Sequence, residues 1–460
     1  MSYTEDLVRH IVDHKKENLS ENVIEHAKLF VLDTIGCAIG GYCTEVGKQV
    51  VSMTKRYKNS AESSVIGDGS KVCAEFACWA NSSLANILDM DDVFAGTAHQ
   101  GNCLVPTALG IGEAQSSSGL EVLHAIVLGF EIGSRIGLHA WPSPAMARKY
   151  FPSTWQVFNA VTAAGKLLGL GQKELYHAFG LAGTVPPLPG DMQKFIERPL
   201  GFGKNIFGWG TFTGVFWTLM AQRGVKGTPH ILDGEAGFWA IMGSDQHDFE
   251  KLVQGLGEKY NILETKFKPY PLCTWGHTTV DATKKIIEEN NIAAGDIESI
   301  NIKTIKRAVD FLWNPEMETI FDAQFSLPHA VSMVALRKEP GPEWMSEENI
   351  FHNPEAKAVS GKVKMVVDPS AEQVFFEENG LAIPSNVNVK TKDGKIYQET
   401  IKYSKGTPNN PFKREEIQDK FRGLALSLVS EKRIEDILKT VNRLETVKDI
   451  SELTRLLKEE

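Results

Sequence analysis

KFKPYPLCTWGHTTVDA, residues 266–282, divides this chain into two kinds of sequence. Before it, apolar residues recur almost without a break at helical spacing. In ENVIEHAKLFVLDTIGCAIGG (21–41), Ile24, Ala27, Val31, Ile35 and Ala38 fall on one helix face; Ser20 stands at the N-cap and Gly40–Gly41 closes the run. LEVLHAIVLGFEIGSRIG (120–137), FNAVTAAGKLLGL (158–170, ended by Gly169) and KELYHAFGLAGT (173–184) repeat the pattern. Small residues on the apolar faces let such helices approach closely, which predicts a compact bundle. After residue 282 one helix runs to about Asn290, and then the period becomes two. DIESINIKT (296–304) alternates Ile297, Ile300 and Ile302 with one slip of phase, and KVKMVVDP, SNVNVKTKDG and KIYQETIKY are strand-like. Asp393–Gly394 is a hairpin turn signal. EPGPEWMSEENIFHNPEA (339–356) reads as a loop, and helices return after KGTPNNPF (405–412). The expected fold is mainly α: a helical domain over 1–264, completed by 405–460, with a smaller α+β lid domain inserted at 265–404.

The chain's 460 residues are too many for one hydrophobic core. With 42% hydrophobic and 23% charged residues it has the composition of an ordinary globular protein. A net charge of −9 disfavours nucleic acid or an anionic membrane as a partner. The six cysteines, Cys37, Cys43, Cys73, Cys78, Cys103 and Cys273, form no C-x-x-C pair; they predict reduced thiols in a cytoplasmic protein and argue against a cysteine-bound zinc or iron–sulfur centre. The N-terminus lacks a signal-peptide pattern, and no apolar run has membrane-spanning length.

Four constellations carry candidate chemistry. NILDMDDVFAGTAHQGN (86–102) crowds Asp89, Asp91 and Asp92 ahead of His99, inside an otherwise apolar stretch. It can be a wet loop, a site for an oxygen-ligated divalent ion, or an acid–base site in which a carboxylate aims the histidine. On a helix Asp89 and Asp92 would share a face, and a helix is expected to open at Pro106. The 266–282 stretch holds Lys266, Lys268 and His277 at the presumed domain junction, where clefts form; a linker with solvated lysines and a capping histidine is the plain alternative. RPLGFGKNIFGWGTFTG, with Arg198 and Lys204, matches neither a Walker loop nor a dinucleotide fingerprint, so its glycines read first as helix packing. His329 opens an apolar helix in QFSLPHAVSMVAL. His124 and His177 lie in helical runs, while His10, His14 and His26 read as surface positions.

Taken in order, these elements resemble the MmgE/PrpD family, which includes 2-methylcitrate dehydratase, cis-aconitate decarboxylase and iminodisuccinate epimerase. LDTIGCAIGG, the D-M-D-D…H element, SGLEVLHAIVLGFEIGSRIG, AAGKLLGL, KPYPLCTWGH..VDA and KGTPNNPF carry the resemblance along nearly the whole chain. It implies a helical domain with an inserted lid, a homodimer, and catalysis without metal or organic cofactor. It puts Asp89 at the first aspartate of D-x-D-D, His99 at the active-site histidine and His277 at the histidine of K-P-Y-P…H. Lys204 lies one residue out of register with the family's lysine. Counting back from AAGKLLGL puts Tyr150 where the dehydratase and decarboxylase have a second catalytic histidine, and the decarboxylase's active-site tyrosine falls on His329. Val93 stands where the decarboxylase has threonine.

The implied chemistry is proton transfer at a carbon next to a carboxylate of a small di- or tricarboxylic acid. His99, oriented by Asp89, is the expected base or acid; Tyr150, with His277 or His329, is the opposing acid. Lys266, Lys268, Arg148 and Lys204 supply the carboxylate clamp, and Asp91 and Asp92 hold the loop. The His/Tyr exchange weighs against cis-aconitate decarboxylation and weakens 2-methylcitrate dehydration. The expected reaction is elimination of water, as in 2-methylcitrate dehydratase, because the family's better-known members are lyases. Epimerisation is one alternative, and a non-catalytic carboxylate-binding protein is another.

Overall fold

The structure is a computed structural model. It describes all residues except 1, 58–59, 95–98, 140–142, 144–145, 147–148, 152–153, 188–189, 192–196, 203–206 and 379. The helical part begins with α1 (Tyr3–Asp13) and α2 (Glu21–Tyr42) and continues through α3 (Ala74–Ala85), α4 (Gly101–Ala114), α5 (Gly119–His139), α6 (Val157–Leu167), α7 (Gln172–Thr184) and α8 (Phe207–Gln222). The Ser20 hydroxyl caps α2 by accepting from the Val23 N–H (3.4 Å), and Gly169 (φ 64°) turns the chain after α6. Gly41 lies against α3: a Cβ there would sit 2.1 Å from the Leu84 carbonyl oxygen. No single helix among the described residues is long and apolar enough to cross a membrane.

The chain then enters α9 (His277–Glu289) and a four-stranded sheet of β1 (Ile297–Thr304), β2 (Val363–Val367), β3 (Ser385–Thr391) and β4 (Ile396–Ile401). The spatial order is β2-β1-β3-β4, with β1 parallel to β2 and the other pairs antiparallel. The slip of phase in DIESINIKT is a register shift between Ile297 and Ser299. Gly394 (φ 87°) makes the β3–β4 turn. α10 (Leu327–Ala335) packs in this part, and the expected loop at 339–356 contains a π-helical turn, Glu348–His352, running into a helix at Pro354–Ser360 that Asn353 caps. Asn353–Pro354 is a start signal the loop reading passed over: a capping side chain followed by proline at the first helical position.

The tail forms α11 (Arg414–Ala425) and α12 (Glu431–Asn442). Its Ile417, Phe421, Ile434, Ile437 and Leu438 share one apolar core with Phe30, Val31, Leu84, Leu104 and Phe130 of the helical part. A second core gathers Leu272, Val280, Ile300, Ile302, Val387 and Val389, and also Leu88 and Met90. The two residues that flank Asp89 are thus rooted in the apolar core of the strand-bearing part. That is why the acidic segment reads as interior sequence.

Two other expectations change. His14 is buried, with Nδ1 2.9 Å from His124 Nε2 and Nε2 2.8 Å from the Tyr260 hydroxyl. Burial pushes His10 and His26 down to about 4. The helix expected to open at Pro106 begins at Gly101, with Pro106 inside it. Its start is set by Asp92, whose carboxylate accepts from the Gln100 (3.2 Å) and Gly101 (2.7 Å) N–H groups.

Candidate active site

Residues 86–93 are not a helix. After α3 the chain turns, and Asp89 takes a left-handed conformation (φ 52°), a strained choice for a residue with a side chain. Asp89 and Asp92 therefore do not share a helix face. Each carboxylate has its own work. Asp92 caps α4. Asp91 accepts from Asn86 Nδ2 (2.7 Å) and Asn102 Nδ2 (2.9 Å). Asp89 Oδ1 lies 2.9 Å from Lys268 Nζ. All three are buried. Burial and the neighbouring Asp91 push the Asp92 carboxyl up to about 7.

His99 reaches into this cluster. Its Nε2 is 3.8 Å from Asp89 Oδ1 and its Nδ1 3.2 Å from Asp91 Oδ2. The second approach lacks hydrogen-bond alignment, for Nδ1 has no hydrogen-bond partner among the described residues. Gln156 Nε2 donates to the His99 carbonyl, Asn159 Nδ2 donates to Gln100 Oε1 (2.7 Å), and the Phe207 ring packs 5.3 Å from the imidazole. Asp91 thus both holds the loop and faces the histidine, which goes beyond the purely structural role expected for it.

The 266–282 segment supplies the cations. Lys266 and Val93 exchange backbone hydrogen bonds (2.8 and 2.9 Å), which tie this segment to the acidic turn. Lys268 holds Asp89. Lys266 Nζ donates to the Thr274 hydroxyl; burial, with Lys268 close by, pushes its ammonium down to about 7. His277 is the first residue of α9 and fully buried. Its Nε2 lies 2.8 Å from the Leu272 carbonyl, a pure acceptor, so that nitrogen carries the proton. Its Nδ1 has no hydrogen-bond partner among the described residues. Burial, then the charges of Lys266 and Lys268, hold the imidazole well below its usual range. Held neutral in this way, His277 offers a lone pair at Nδ1, where the sequence leads one to expect an acid.

His329 sits in α10 with Nε2 2.9 Å from the Trp344 carbonyl, and burial pushes it down to about 4. It lines a cavity with Met317, Ser332 and Asn349, and no contact among the described residues joins it to Asp89, His99 or Lys268. Tyr150 is described as backbone, paired with Asp191 in a short antiparallel bridge. Arg148 and Lys204 lie outside the described residues.

Several site residues carried little signal in the sequence. Asn86, Asn102 and Gln156 are ordinary polar residues until the fold brings them to Asp91 and His99. Asp33 was visible as a lone carboxylate in the apolar run of α2. Lys420, which meets it at 2.6 Å, comes from the tail with no local cue.

Single ligand atoms of Asp89, Asp91 and His99 lie within 4.8 Å of one another, close enough to share a divalent ion. The donor set fits one poorly. The Lys268 ammonium already neutralises Asp89, and both Asp91 oxygens accept from side-chain amides. The arrangement suits an imidazole held between two fixed carboxylates that takes or gives a proton, beside lysines that can hold an anion.

Comparison with known proteins agrees with the order of motifs. Residues 5–250 match the MmgE/PrpD N-terminal domain and residues 270–446 the MmgE/PrpD C-terminal domain. Cis-aconitate decarboxylase of Homo sapiens is 24% identical over 468 residues, covering 99% of this chain and 95% of that protein. The Mus musculus enzyme of the same name is 24% identical, over 99% of this chain and 93% of its own. Cis-aconitate decarboxylase of Aspergillus terreus (strain NIH 2624 / FGSC A1156) is 24% identical, with 96% and 93% covered.

Proposed function

The chain belongs to the MmgE/PrpD family, and from that premise we propose that it is a cofactor-independent lyase of small di- or tricarboxylic acids, which removes a proton next to a carboxylate and eliminates water. The observation that carries this reading is His99, with a carboxylate near each ring nitrogen and Lys268 holding one of them. A proton beside a carboxylate is weakly acidic. Removing it requires a base near the carbon and cations where the enolate-like charge collects. His99 takes the proton, and the charged fraction of Lys266, with Lys268, holds the substrate carboxylate. The carbanion's electron pair then forms the double bond as the β-hydroxyl leaves with a proton from an acid on the opposite face, the place proposed for Tyr150. A homodimer in the cytoplasm belongs to the same proposal.

The second reading is loss of carbon dioxide, favoured because the human, mouse and Aspergillus terreus relatives are named cis-aconitate decarboxylases. In that case the C–C bond to one carboxylate breaks, carbon dioxide leaves and its electron pair stays on carbon, where a protonated His99 delivers a proton, while the same cations hold the remaining carboxylates. One experiment separates the readings: incubation in D₂O with 2-methylcitrate, citrate, cis-aconitate, substituted succinates and iminodisuccinate, followed by NMR. A new vinyl signal without loss of carbon is expected. Loss of one carboxyl carbon means decarboxylase, and deuterium entering a compound together with its opposite stereoisomer means epimerase. His99→Ala should lower the rate by about 10²–10⁴-fold; unchanged turnover in that variant would overturn the mechanism.

A further inference from the structure

We propose that Lys420, paired with Asp33, is a positioning residue that holds the Asp89–Asp92 turn in its working conformation from the C-terminal tail; its kinetic consequence rests on the function proposed above. Lys420 projects from α11 with only 8% of its side chain exposed. Its Nζ lies 2.6 Å from Asp33 Oδ1 and 2.6 Å from the Met90 carbonyl oxygen. Asp33 is in the middle of α2 with its side chain fully buried, so one ammonium joins the first long helix, the tail and the acidic turn.

The turn needs such a tether. Asp89 holds a left-handed conformation that its side chain disfavours, and a strained residue persists only where its surroundings over-determine it. The neighbouring groups are each anchored. Gln324 Nε2 donates to the Ile87 carbonyl (2.5 Å), Asn86 and Asn102 hold Asp91, and Val93 is bonded to Lys266. The Met90 carbonyl, next to the strained residue, is held by Lys420. If it is released, Asp89 can relax and its carboxylate moves relative to both Lys268 and His99. Lys420 touches neither His99 nor Lys268 in any contact among the described residues, so it acts on the reaction through the turn. Stability alone does not call for the pair, because a buried ion pair is often no more stabilising than apolar residues of similar size.

The test uses the full chain with three changes: Lys420→Arg, Lys420→Met, and the double variant Asp33→Leu/Lys420→Met, which leaves no buried charge unpaired. Two readouts are needed. Hydrogen exchange followed by mass spectrometry reports the turn without any substrate. Steady-state kinetics report the reaction on whichever carboxylate the wild type turns over. In the double variant, exchange in peptides covering 86–104 should rise about tenfold or more while the core helices stay protected. kcat should fall roughly 10–100-fold with KM changed less than about threefold, the signature of a displaced catalytic group rather than a lost binding contact. Lys420→Arg, which keeps a cation, should recover part of kcat. A folded double variant with wild-type exchange at 86–104 and wild-type kcat overturns the proposal. So does a fall in kcat matched by general loss of protection, which is a stability effect. If the wild type turns over no carboxylate, the functional reading fails, and the exchange measurement still decides whether Lys420 holds the turn.

Discussion

Lys266 and Lys268 are two residues apart and meet different fates. Lys268 meets a carboxylate at 2.9 Å, whereas the Lys266 amine meets a hydroxyl and is pushed down to about 7 by burial and by its neighbour. Unfolded, a lysine keeps its proton to about pH 10.4. Between about pH 7 and 10 the unfolded chain therefore binds more protons at this position, and stability from this residue rises with pH across that window; below it, the folded state carries the full cost of a buried cation. Lys266→Met should accordingly raise the urea midpoint more at pH 6 than at pH 10. An equal gain at both values would mean that the folded lysine keeps its proton over the same range as the unfolded one, with no downward shift. The same titration leaves Lys266 partly charged near neutrality and makes it a weaker carboxylate clamp as pH rises. His277 shows the same logic with the opposite chemical result, since a nitrogen committed to the Leu272 carbonyl leaves the other with a bare lone pair.

The critical contacts between elements are close approaches. α2 lies so near α3 that a Cβ on Gly41 would stand 2.1 Å from the Leu84 carbonyl oxygen, a backbone atom that cannot swing aside. Gly41→Ala should destabilise the protein by about 1–3 kcal/mol, as overpacking typically does. The change should show in chemical unfolding and should spread to the turn that follows α3. A neutral result would mean that the two helices slide apart freely. α4 illustrates capping at a distance: Asp92, eight residues before Gln100, supplies the acceptor that starts the helix. Pro106, read locally as a helix start, instead sits within it.

At the scale of the whole molecule, the tail completes the first core and reaches the site. Ile417, Phe421, Ile434, Ile437 and Leu438 are buried with the N-terminal helices. Fully burying each such side chain is worth about 1.5–3 kcal/mol, and their sum rivals the roughly 5–15 kcal/mol stability of an ordinary domain. Truncation after residue 404 should abolish cooperative unfolding in calorimetry; a sharp transition in the truncated chain would show the tail to be an appendage. Desolvated histidines weaken the fold in acid. Unfolded imidazoles take up protons near pH 6.5, but in the folded protein His10 and His26 do so only at about 4 and His124 at about 3. At these positions the unfolded state binds more protons across that interval, so the stability they contribute falls as pH falls from about 6.5 towards 3. His26→Gln should flatten the dependence, measured as urea midpoints between pH 7 and 4.5.

The sequence by itself determined the helical period as far as Gln222, the strands and the Asp393–Gly394 turn after residue 282, and the grouping of Asp89, His99, Lys268 and His277 as candidates; between 223 and 264, where helices are also expected, the described chain holds only a four-residue helix and short 3-10 turns. Period and turn chemistry are local, and a family's motifs are linear, so each can be read along the chain. Only the tertiary structure decided how those candidates stand to one another. The left-handed Asp89, the Lys268–Asp89 pair, the neutral character of His277 and the Lys420–Asp33 pair at Met90 join residues up to 387 positions apart. Charge, burial and hydrogen-bond geometry are properties of such meetings, and no local pattern encodes them.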